Sequence, residues 1–239
     1  MEMMRKIALV PAYNPDRKML NVVRDLKDNG YTVVLVNDGS DSEFADLFAA
    51  AGRADVILRH EKNRGKGMAL KTGLCWIEKH CEAPYTVVTV DADGQHLIDD
   101  TENVTFAARQ HPSTLIIGSR HLKKGAPFRS KSGNFITRFF LNTLTPVKIY
   151  DTQSGLRGFS HDLVPVLKEI EGERYEYEMQ MLIDVDRMGI PIREVKIQAV
   201  YIENNSTSHF RTIADSKRLY KVIFKNAGKR KQEYSLSEI

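Results

Sequence analysis

Short runs of apolar and β-branched residues alternate with segments of helical periodicity through the first half of the chain, and this alternation constrains the fold most. The runs predict buried strands over residues 6–12, 31–36, 55–58 and 85–90. The helices predicted between them include one built on Met19, Leu20, Val23 and Leu26, a short one from Glu43, and one that ends near Lys79. This order predicts an α/β fold with a mostly parallel sheet and helices on both faces. Ligands of such sheets bind beyond the carboxyl ends of the strands.

The second half of the chain is less regular. The elements predicted there are a strand over 115–118, a helix over 132–144, loop and strand over 151–159, a helix over 176–188, a strand over 192–200, a polar loop over 203–208 and an amphipathic basic helix over about 212–226. The polar tail over 229–239 is expected to be disordered. Residues 1–228 show no internal repeat or linker and are predicted to form a single domain.

Composition places the chain among globular proteins. Its 239 residues can bury a sizeable core, and 42% hydrophobic with 28% charged residues excludes a disordered, collagenous or membrane-spanning chain. The formal net charge of +4 is unevenly distributed. Residues 120–150 include seven basic and no acidic residues, and residues 209–234 include eight basic against two acidic. Two surfaces for anions are therefore expected on an otherwise acidic body.

The cysteines and the hydropathy pattern bear on the compartment. Cys75 and Cys81 lie in a predicted helix, roughly 9 Å apart along its axis, which is too far for an unstrained disulfide. We expect reduced thiols. The sequence shows no leader-like apolar segment and no run of the roughly 18 apolar residues that a membrane span needs, so a cytoplasmic protein is expected.

Two Asp-x-Asp pairs occur in different contexts. Asp91 and Asp93 follow a predicted buried strand, with Gln95 close behind. Oxygen ligands of this kind select Mg²⁺ or Mn²⁺, which keep open positions for substrate phosphates. A turn rich in Asp and Gly is the alternative. Asp184 and Asp186 lie in a helical pattern, where residues two apart point away from each other, and they are predicted to be solvated helix surface.

A glycine-rich loop over 63–67 precedes a predicted helix. Its backbone N–H groups and two cations could face a phosphate, and a tight turn is the alternative. The loop matches neither the GxxxxGK[ST] loop of nucleotide hydrolases nor the GxGxxG of dinucleotide binders. The histidines are scattered singly, so their number alone indicates no site.

Several short motifs occur in a characteristic order. They are PAYN at 11–14, VNDGSDS at 36–42, NRGKGMALKTG at 63–73, VDADGQH at 90–96, DTQSGLRGF at 151–159, YEYEMQML at 175–182 and SHFR at 208–211. The series resembles glycosyltransferase family two, and within it the branch of dolichyl- or polyprenyl-phosphate sugar synthases. The similarity covers about residues 5–225, and the order and spacing of the motifs make it more specific than any one of them.

The resemblance implies a Rossmann-like glycosyltransferase-A fold, a nucleotide-sugar donor and a divalent cation, Mg²⁺ or Mn²⁺. Matched by position, the residues that would bind the nucleotide sugar are Pro11, Tyr13, Asn14, Asp38, Lys66 and Asp91. Asp91, Asp93 and Gln95 would hold the metal on the donor diphosphate, with Asp93 in the catalytic centre. Many relatives have an acidic residue where this chain has Pro15 and Asn37, so UDP and GDP both stay open as the donor nucleotide.

The acceptor is predicted from charge and resemblance together. Within the acid-free stretch, Arg120, Arg129 and Lys131 would bind a lipid phosphate, with Arg120 at the reacting group, and a solvated basic loop is the alternative. A phosphate monoester is already anionic and needs little or no general base. Asp151, Gln153 and Arg157 are expected to face the donor sugar or the acceptor phosphate, with ordinary loop structure as the alternative. His209 and Arg211 are expected to close over the diphosphate, with a surface loop as the alternative.

A saccharide hydroxyl is the alternative acceptor. It would need an acidic residue as general base, for which Glu176 and Glu178 are the candidates, and Glu178 is the one assigned a catalytic role.

The basic terminal helix predicts where the protein works. It would lie on an anionic membrane surface, whereas packing against the domain is the alternative. The sequence therefore predicts an enzyme at the cytoplasmic membrane face that moves a hexose to polyprenyl phosphate, with a small membrane protein as a further expected partner. A basic nucleic-acid-binding module is the alternative of another class, and it leaves Asp91 and Asp93 unexplained.

Overall fold

The computed structural model describes residues 4–120, 137–145, 147–198 and 212–228. The strands of this part are β1 (Arg5–Ala12), β2 (Thr32–Asn37), β3 (Val56–Arg59), β4 (Tyr85–Thr89), β5 (Leu115–Arg120), β6 (Arg157–Ser160) and β7 (Ile192–Ile197). They form one sheet in the order β3-β2-β1-β4-β6-β5-β7. β6 is antiparallel to β4 and β5, and the other paired strands of the described sheet are parallel. The prediction of an α/β fold with a mostly parallel sheet is confirmed.

Helices connect these strands and cover both faces of the sheet. The helices of the described residues are α1 (Lys18–Asp28), α2 (Ala45–Ala50), α3 (Lys66–His80), α4 (Ile98–Gln110), α5 (residues 137–144), α6 (Val164–Glu169), α7 (Glu176–Arg187) and α8 (Thr212–Lys225). Single 3₁₀ turns precede α2 and α6.

Successive residues of β1 supply two separate cores. Ile7 and Leu9 are buried in the layer that includes apolar residues of α3, α6, α7 and α8. Ala8 and Val10 are buried in the opposite layer, with apolar residues of α1, α2 and α4. This alternation follows from the two-residue period of a strand. A central strand that is apolar on both faces therefore fixes a three-layer architecture.

Two of the described helices, α4 and α6, have no clear hydrophobic periodicity in the sequence. The buried face of α4 includes Asp100, Thr101 and Thr105, so its hydrophobic periodicity is weak. α6 has six residues and carries a proline in its first turn, which makes it too short for a periodic pattern. Polar groups of α4 are paired within the fold: Tyr31 and Thr105 share a hydrogen bond of 2.8 Å between their hydroxyl oxygens.

The antiparallel strand β6 brings a loop to the edge of the sheet where the parallel strands end. Arg157 opens β6 and is paired with Thr89, the last residue of β4, and with Ile117 in β5. Residues 151–156, which precede β6, therefore lie beside the carboxyl ends of β4 and β5.

The prediction of a solvated surface for the second Asp-x-Asp pair is wrong. Asp184 and Asp186 are both half-buried, and α7 contacts α3 and β7 as well as α8. Asp184 accepts a hydrogen bond from Gln180 (Nε2 to Oδ1, 2.7 Å), and burial raises its pKa. The thiols of Cys75 and Cys81 are free, as expected, although Cys81 follows the last residue of α3 in extended backbone.

The terminal amphipathic helix is confirmed as α8, and one of its faces packs on the domain. Leu219 and Ile223 are buried, and the side-chain amide of Asn226 donates to Gln180 Oε1 of α7 (3.1 Å). Phe224 and Lys221 remain exposed on the other side. Packing on the domain and binding to a membrane surface are therefore compatible, because they would use opposite faces of α8.

Several predictions fall outside the described residues. These are the sites at Arg129, Lys131, His209 and Arg211, the loop over 203–208, the tail over 229–239, and parts of the helix over 132–144 and of the strand over 192–200. Among the helices that are described, none has both the length and the apolar character needed to cross a membrane.

Candidate active site

Asp91 lies just beyond the carboxyl end of β4, and the side chains of Lys66 and His96 contact its carboxylate. Its Oδ1 is 2.7 Å from Lys66 Nζ, and its Oδ2 is 3.3 Å from His96 Nε2. Burial raises the pKa of Asp91, but Lys66 and His96 together outweigh burial and hold the pKa well below its usual range. Asp91 is therefore ionised at neutral pH and is oriented toward the start of α3.

Lys66 is the first residue of α3 and bridges two acidic groups. Besides Asp91, its Nζ contacts Glu178 Oε2 at 3.0 Å, and it lies 5.9 Å from the centre of the Tyr175 ring. Burial lowers the pKa of Lys66, but the adjacent carboxylates raise it by more. Burial also raises the pKa of Tyr175 to about 12. The site thus holds a permanent ammonium beside a neutral phenol.

The two carboxylates among the three proposed metal ligands, Asp91 and Asp93, repel each other. Burial and the charge of Asp91 both raise the pKa of Asp93. Asp93 Oδ1 accepts the backbone N–H of Gln95 at 2.9 Å, which fixes the curl of the loop. Carboxylate and amide oxygens suit Mg²⁺ or Mn²⁺, and a cation would relieve the repulsion between the two carboxylates, so these residues fit such an ion. No cluster of three or more His, Cys, Asp or Glu side chains in metal-binding geometry occurs among the described residues.

Asp38 follows β2 and organises the glycine-rich loop. Its side chain is buried, and its oxygens accept the backbone N–H groups of Arg64 (2.9 Å) and Gly65 (2.7 Å). His60 Nδ1 lies 2.7 Å from Asp38 Oδ1. The prediction that the backbone of this loop faces a phosphate is thus wrong for these two N–H groups, because Asp38 already binds them. What the loop contributes to the site is the side chain of Lys66.

The segments after β1 and β2 are tied together, as the shared sheet edge predicts. Asn14 adopts a left-handed backbone conformation with a φ of 43°. Its side chain exchanges two hydrogen bonds with Asp41, from Nδ2 to Oδ2 (2.7 Å) and from the Asp41 N–H to Oδ1 (2.9 Å). Pro11 is buried at the end of β1, and Tyr13 is half-buried beside Asn14. The residues assigned to the nucleoside therefore do share one end of the sheet.

Arg120 and Asp151 form an ion pair at the end of β5. Arg120 Nε donates to Asp151 Oδ2 at 2.8 Å, and the Asp151 side chain is fully buried. The N–H of Gln153 donates to Asp151 Oδ1 at 3.0 Å. Glu194 of β7 accepts the backbone N–H of Asp151 at 3.1 Å. Asp151 therefore orients Arg120 and shapes the loop that leads to Gln153.

Arg157 lies in the interior. Its side chain donates to two main-chain carbonyls, from Nη1 to Glu178 (2.8 Å) and from Nε to Ser154 (3.3 Å). Burial lowers the pKa of Arg157. In the structure, Arg157 joins β6 to α7 and so fixes the backbone that carries Glu178.

The geometry distinguishes the two glutamates at the start of α7. Glu176 Oε1 accepts the backbone N–H groups of Glu173 and Arg174, both at 3.1 Å, and so fixes the turn that precedes the helix. Glu178 instead points to Lys66. Of the two candidates for a general base, Glu178 is the one that lies at the site.

Sequence reasoning missed His60, His96 and Gly155. The number of histidines alone indicates no site, yet His60 directly follows β3 and His96 lies in the loop after β4. Their position after predicted strands is the signal that would have found them. Gly155 is apparent only in three dimensions, where a Cβ atom would lie 2.4 Å from Asp91 Oδ2.

The family model for glycosyl transferase family 2 matches residues 7–167. The chain therefore belongs to this family and is a glycosyltransferase. The family membership favours the enzyme over the nucleic-acid-binding alternative.

Individual relatives agree with this assignment. An uncharacterized protein of Methanocaldococcus jannaschii is 31% identical over 222 residues, which are 90% of this chain and 89% of the relative. The UDP-N-acetylglucosamine–dolichyl-phosphate N-acetylglucosaminyltransferase of Methanococcus voltae is 29% identical, over 92% of this chain and 96% of the relative. A dolichyl-phosphate β-glucosyltransferase of Dictyostelium discoideum is 26% identical, over 84% of this chain and 68% of the relative.

Solved structures give the same fold. Glucosyl-3-phosphoglycerate synthase of Mycobacterium tuberculosis, crystallised with Mn²⁺, UDP and glucosyl-3-phosphoglycerate, superposes with a TM-score of 0.70 at 17% identity and covers 95% of this chain and 81% of its own. The glycosyltransferase-A fold expected from the motifs is confirmed.

Proposed function

We propose that the protein transfers a hexose from a nucleotide sugar to polyprenyl phosphate. The observation that carries the proposal is the placement of Asp91, Asp93 and Lys66 together at the carboxyl end of the sheet, in a chain of this family. Two relatives that align with most of the chain are named as dolichyl-phosphate sugar transferases, which supports a polyprenyl-phosphate acceptor.

The donor would lie across the ends of β1, β2 and β4. Pro11, Tyr13 and Asn14 would contact the nucleoside, with Asp38 holding the adjoining loop in place. The Methanococcus voltae relative is named for a UDP-sugar, and the mycobacterial neighbour was crystallised with UDP, so a UDP-sugar is favoured over a GDP-sugar.

Asp91, Asp93 and Gln95 would hold Mg²⁺ or Mn²⁺ at the donor diphosphate. The bound ion would act as a Lewis acid and neutralise charge on the departing nucleoside diphosphate. Lys66 lies next to Asp91 and adds a permanent positive charge on the same side. An environment of preset charges around the leaving group is the kind that lowers the barrier to group transfer.

The acceptor phosphate would approach from the side of β5. Arg120, oriented by its ion pair with Asp151, would bind the phosphate through guanidinium N–H donors. A phosphate oxygen attacks the anomeric carbon, the bond from that carbon to the donor diphosphate breaks, and the configuration inverts. Gln153, Arg129, Lys131, His209 and Arg211 remain predicted contributors at the acceptor or donor phosphates.

A saccharide hydroxyl is the second candidate acceptor. One observation favours it: Glu178 Oε1 is buried and has no hydrogen-bond partner among the described residues. A substrate hydroxyl would supply that partner, and the carboxylate would take its proton.

The surface formed by α5 and α8 supports a location at the membrane. The exposed side chains of Phe139 and Phe224 flank Phe140, whose ring centre lies 5.7 Å from that of Phe224. Lys217 and Lys221 are exposed on α8 beside this aromatic group. Aromatic side chains next to lysines suit an anionic lipid surface. We call these five residues the aromatic-basic face and place it at the cytoplasmic side of the membrane, where a small membrane protein is a further proposed partner.

A panel of labelled nucleotide sugars tests the proposal. Each is incubated with a short polyprenyl phosphate or a saccharide, in Mg²⁺, Mn²⁺ or chelator. We expect metal-dependent transfer to the lipid phosphate alone and loss of transfer in Arg120→Gln. Transfer that persists in chelator would remove the metal role of Asp91 and Asp93, and transfer to the saccharide that depends on Glu178 would establish the second candidate.

A further inference from the structure

Lys66 joins carboxylates from two different elements of the site. Its Nζ is 2.7 Å from Asp91 Oδ1, at the end of β4, and 3.0 Å from Glu178 Oε2, in the first turn of α7. The Lys66 side chain is 15% exposed and that of Glu178 is 13% exposed. Water therefore screens these charges poorly, and each strongly affects the others.

The charges in this group do not balance. The ammonium of Lys66 faces two carboxylates, Asp93 adds a third, and the buried guanidinium of Arg157 is another cation close to Glu178 and Asp91, so carboxylates outnumber these two cations. A further cation can therefore bind these carboxylates while Lys66 keeps at least one of its two ion pairs. It also leaves Lys66 with two partners, of which only Asp91 belongs to the proposed metal ligands.

A divalent cation and the ammonium compete for the same oxygen atom. Ligand oxygens lie roughly 2.0–2.1 Å from Mg²⁺, so a cation of this kind bound at Asp91 Oδ1 would occupy the space into which Lys66 donates. Lysine is a compact charge on a flexible stem, and a change of partner costs it only a rotation about side-chain bonds. Glu178 would keep the ammonium at the site after it leaves Asp91.

We propose that Lys66 exchanges partners: it neutralises Asp91 before the donor binds and turns to the donor diphosphate once a divalent cation binds Asp91. Glu178 holds the ammonium in both arrangements. This inference rests on the proposed function, because it requires the metal at Asp91 and a diphosphate beside it. It makes metal and nucleoside diphosphate bind cooperatively, each favouring the other.

The test measures binding, with Lys66→Gln and a matched control. Mn²⁺ alone is titrated by electron paramagnetic resonance, and UDP is titrated calorimetrically with and without saturating Mn²⁺. Lys66→Gln should bind Mn²⁺ alone about three- to tenfold more tightly, and UDP in the presence of Mn²⁺ about tenfold more weakly, as expected for a lost coupling of ordinary size. Lys79→Gln removes the same charge from the exposed last turn of α3 and should leave both affinities within about twofold.

The outcomes separate this inference from the proposed function. Unchanged or weaker binding of Mn²⁺ by Lys66→Gln, or unchanged binding of UDP, overturns the exchange of partners. If circular dichroism shows that Lys66→Gln does not fold, Glu178→Gln is tested instead. This variant leaves the Lys66 ammonium with Asp91 as its one carboxylate partner of the two, so it should bind Mn²⁺ more weakly. Unchanged or tighter binding of Mn²⁺ by Glu178→Gln overturns the inference. If the unaltered protein binds neither Mn²⁺ nor UDP, the proposed function fails together with the inference.

Discussion

Gly155 is the residue whose replacement tests the position of Asp91 most directly. A Cβ atom at Gly155 would lie 2.4 Å from Asp91 Oδ2, and Thr89 of β4 holds the Gly155 carbonyl through a hydrogen bond of 2.7 Å. The loop therefore cannot retreat without breaking that bond. A methyl group would displace the carboxylate instead.

Gly155→Ala should lower kcat/KM for sugar transfer at least about tenfold, or ~1.4 kcal/mol of transition-state stabilisation. Steady-state kinetics with a thermal melt of each variant would measure this. Gly52→Ala is the control, because its Cβ would meet only a carbonyl oxygen at 3.5 Å. Full activity in Gly155→Ala would show that Asp91 tolerates displacement and is not tightly placed for catalysis.

The Asp38 carboxylate binds His60 and the N–H groups of Arg64 and Gly65. Asp38→Asn keeps one acceptor oxygen but replaces the other with an amide N–H₂ group, which cannot accept a hydrogen bond from the N–H groups that Asp38 binds. We expect the free energy of unfolding in urea to fall by about 1–3 kcal/mol. Glu61→Gln removes an exposed carboxylate nearby and should have little effect. Equal stability of the two variants would contradict the structural role given to Asp38.

At the scale of elements, α5 and α8 form one exposed surface although they are distant in sequence. Phe140 of α5 contacts both Tyr220 and Phe224 of α8, each at 5.7 Å between ring centres. The carbonyl of Leu144 in α5 accepts the N–H of Gly228 just after α8 at 3.2 Å. The aromatic-basic face is therefore a product of helix pairing.

Binding to vesicles tests this face. The double variant Lys217→Gln/Lys221→Gln should bind anionic phosphatidylglycerol vesicles more weakly by about 2 kcal/mol, or roughly 30-fold, since each lysine near the headgroups contributes about 1 kcal/mol. Phe224→Ser should also weaken binding. Arg53→Gln/Lys79→Gln removes two exposed charges elsewhere and serves as the control. Equal loss in both double variants would indicate attraction by net charge alone.

At the scale of the whole molecule, tyrosines with raised pKa values make the free energy of unfolding depend on pH in the alkaline range. Burial raises the pKa of Tyr85 and of Tyr175 to about 12. The folded protein keeps these protons, whereas the unfolded chain releases them near pH 10. The contribution of these tyrosines to the free energy of unfolding is therefore complete below about pH 10 and decreases as the pH rises toward 12. The urea concentration at the midpoint of unfolding should decrease as the pH is raised from 8 to 11. Tyr85→Phe should make the decrease shallower, and an identical pH dependence in this variant would contradict the assignment.

Much of the fold was predictable, because local patterns carry it. β1, β2, β4 and α3 appear within a few residues of their predicted bounds, since each is a strong apolar run or a periodic segment. α4 was not predicted because polar side chains such as Asp100 occupy its buried face. The antiparallel direction of β6 also escaped prediction, since a strand of four residues gives no sign of the neighbour with which it pairs.

The sequence by itself determined the α/β architecture, the family and the place of Asp91 and Asp93 after a buried strand, because each is carried by short runs of neighbouring residues and by the order of those runs along the chain. Only the tertiary structure decided which partners these residues have. It paired Lys66 with Glu178, Arg120 with Asp151, and Asp38 with the loop before α3. Such contacts join distant segments, and their distances and burial follow from how helices and strands pack, which no local pattern specifies.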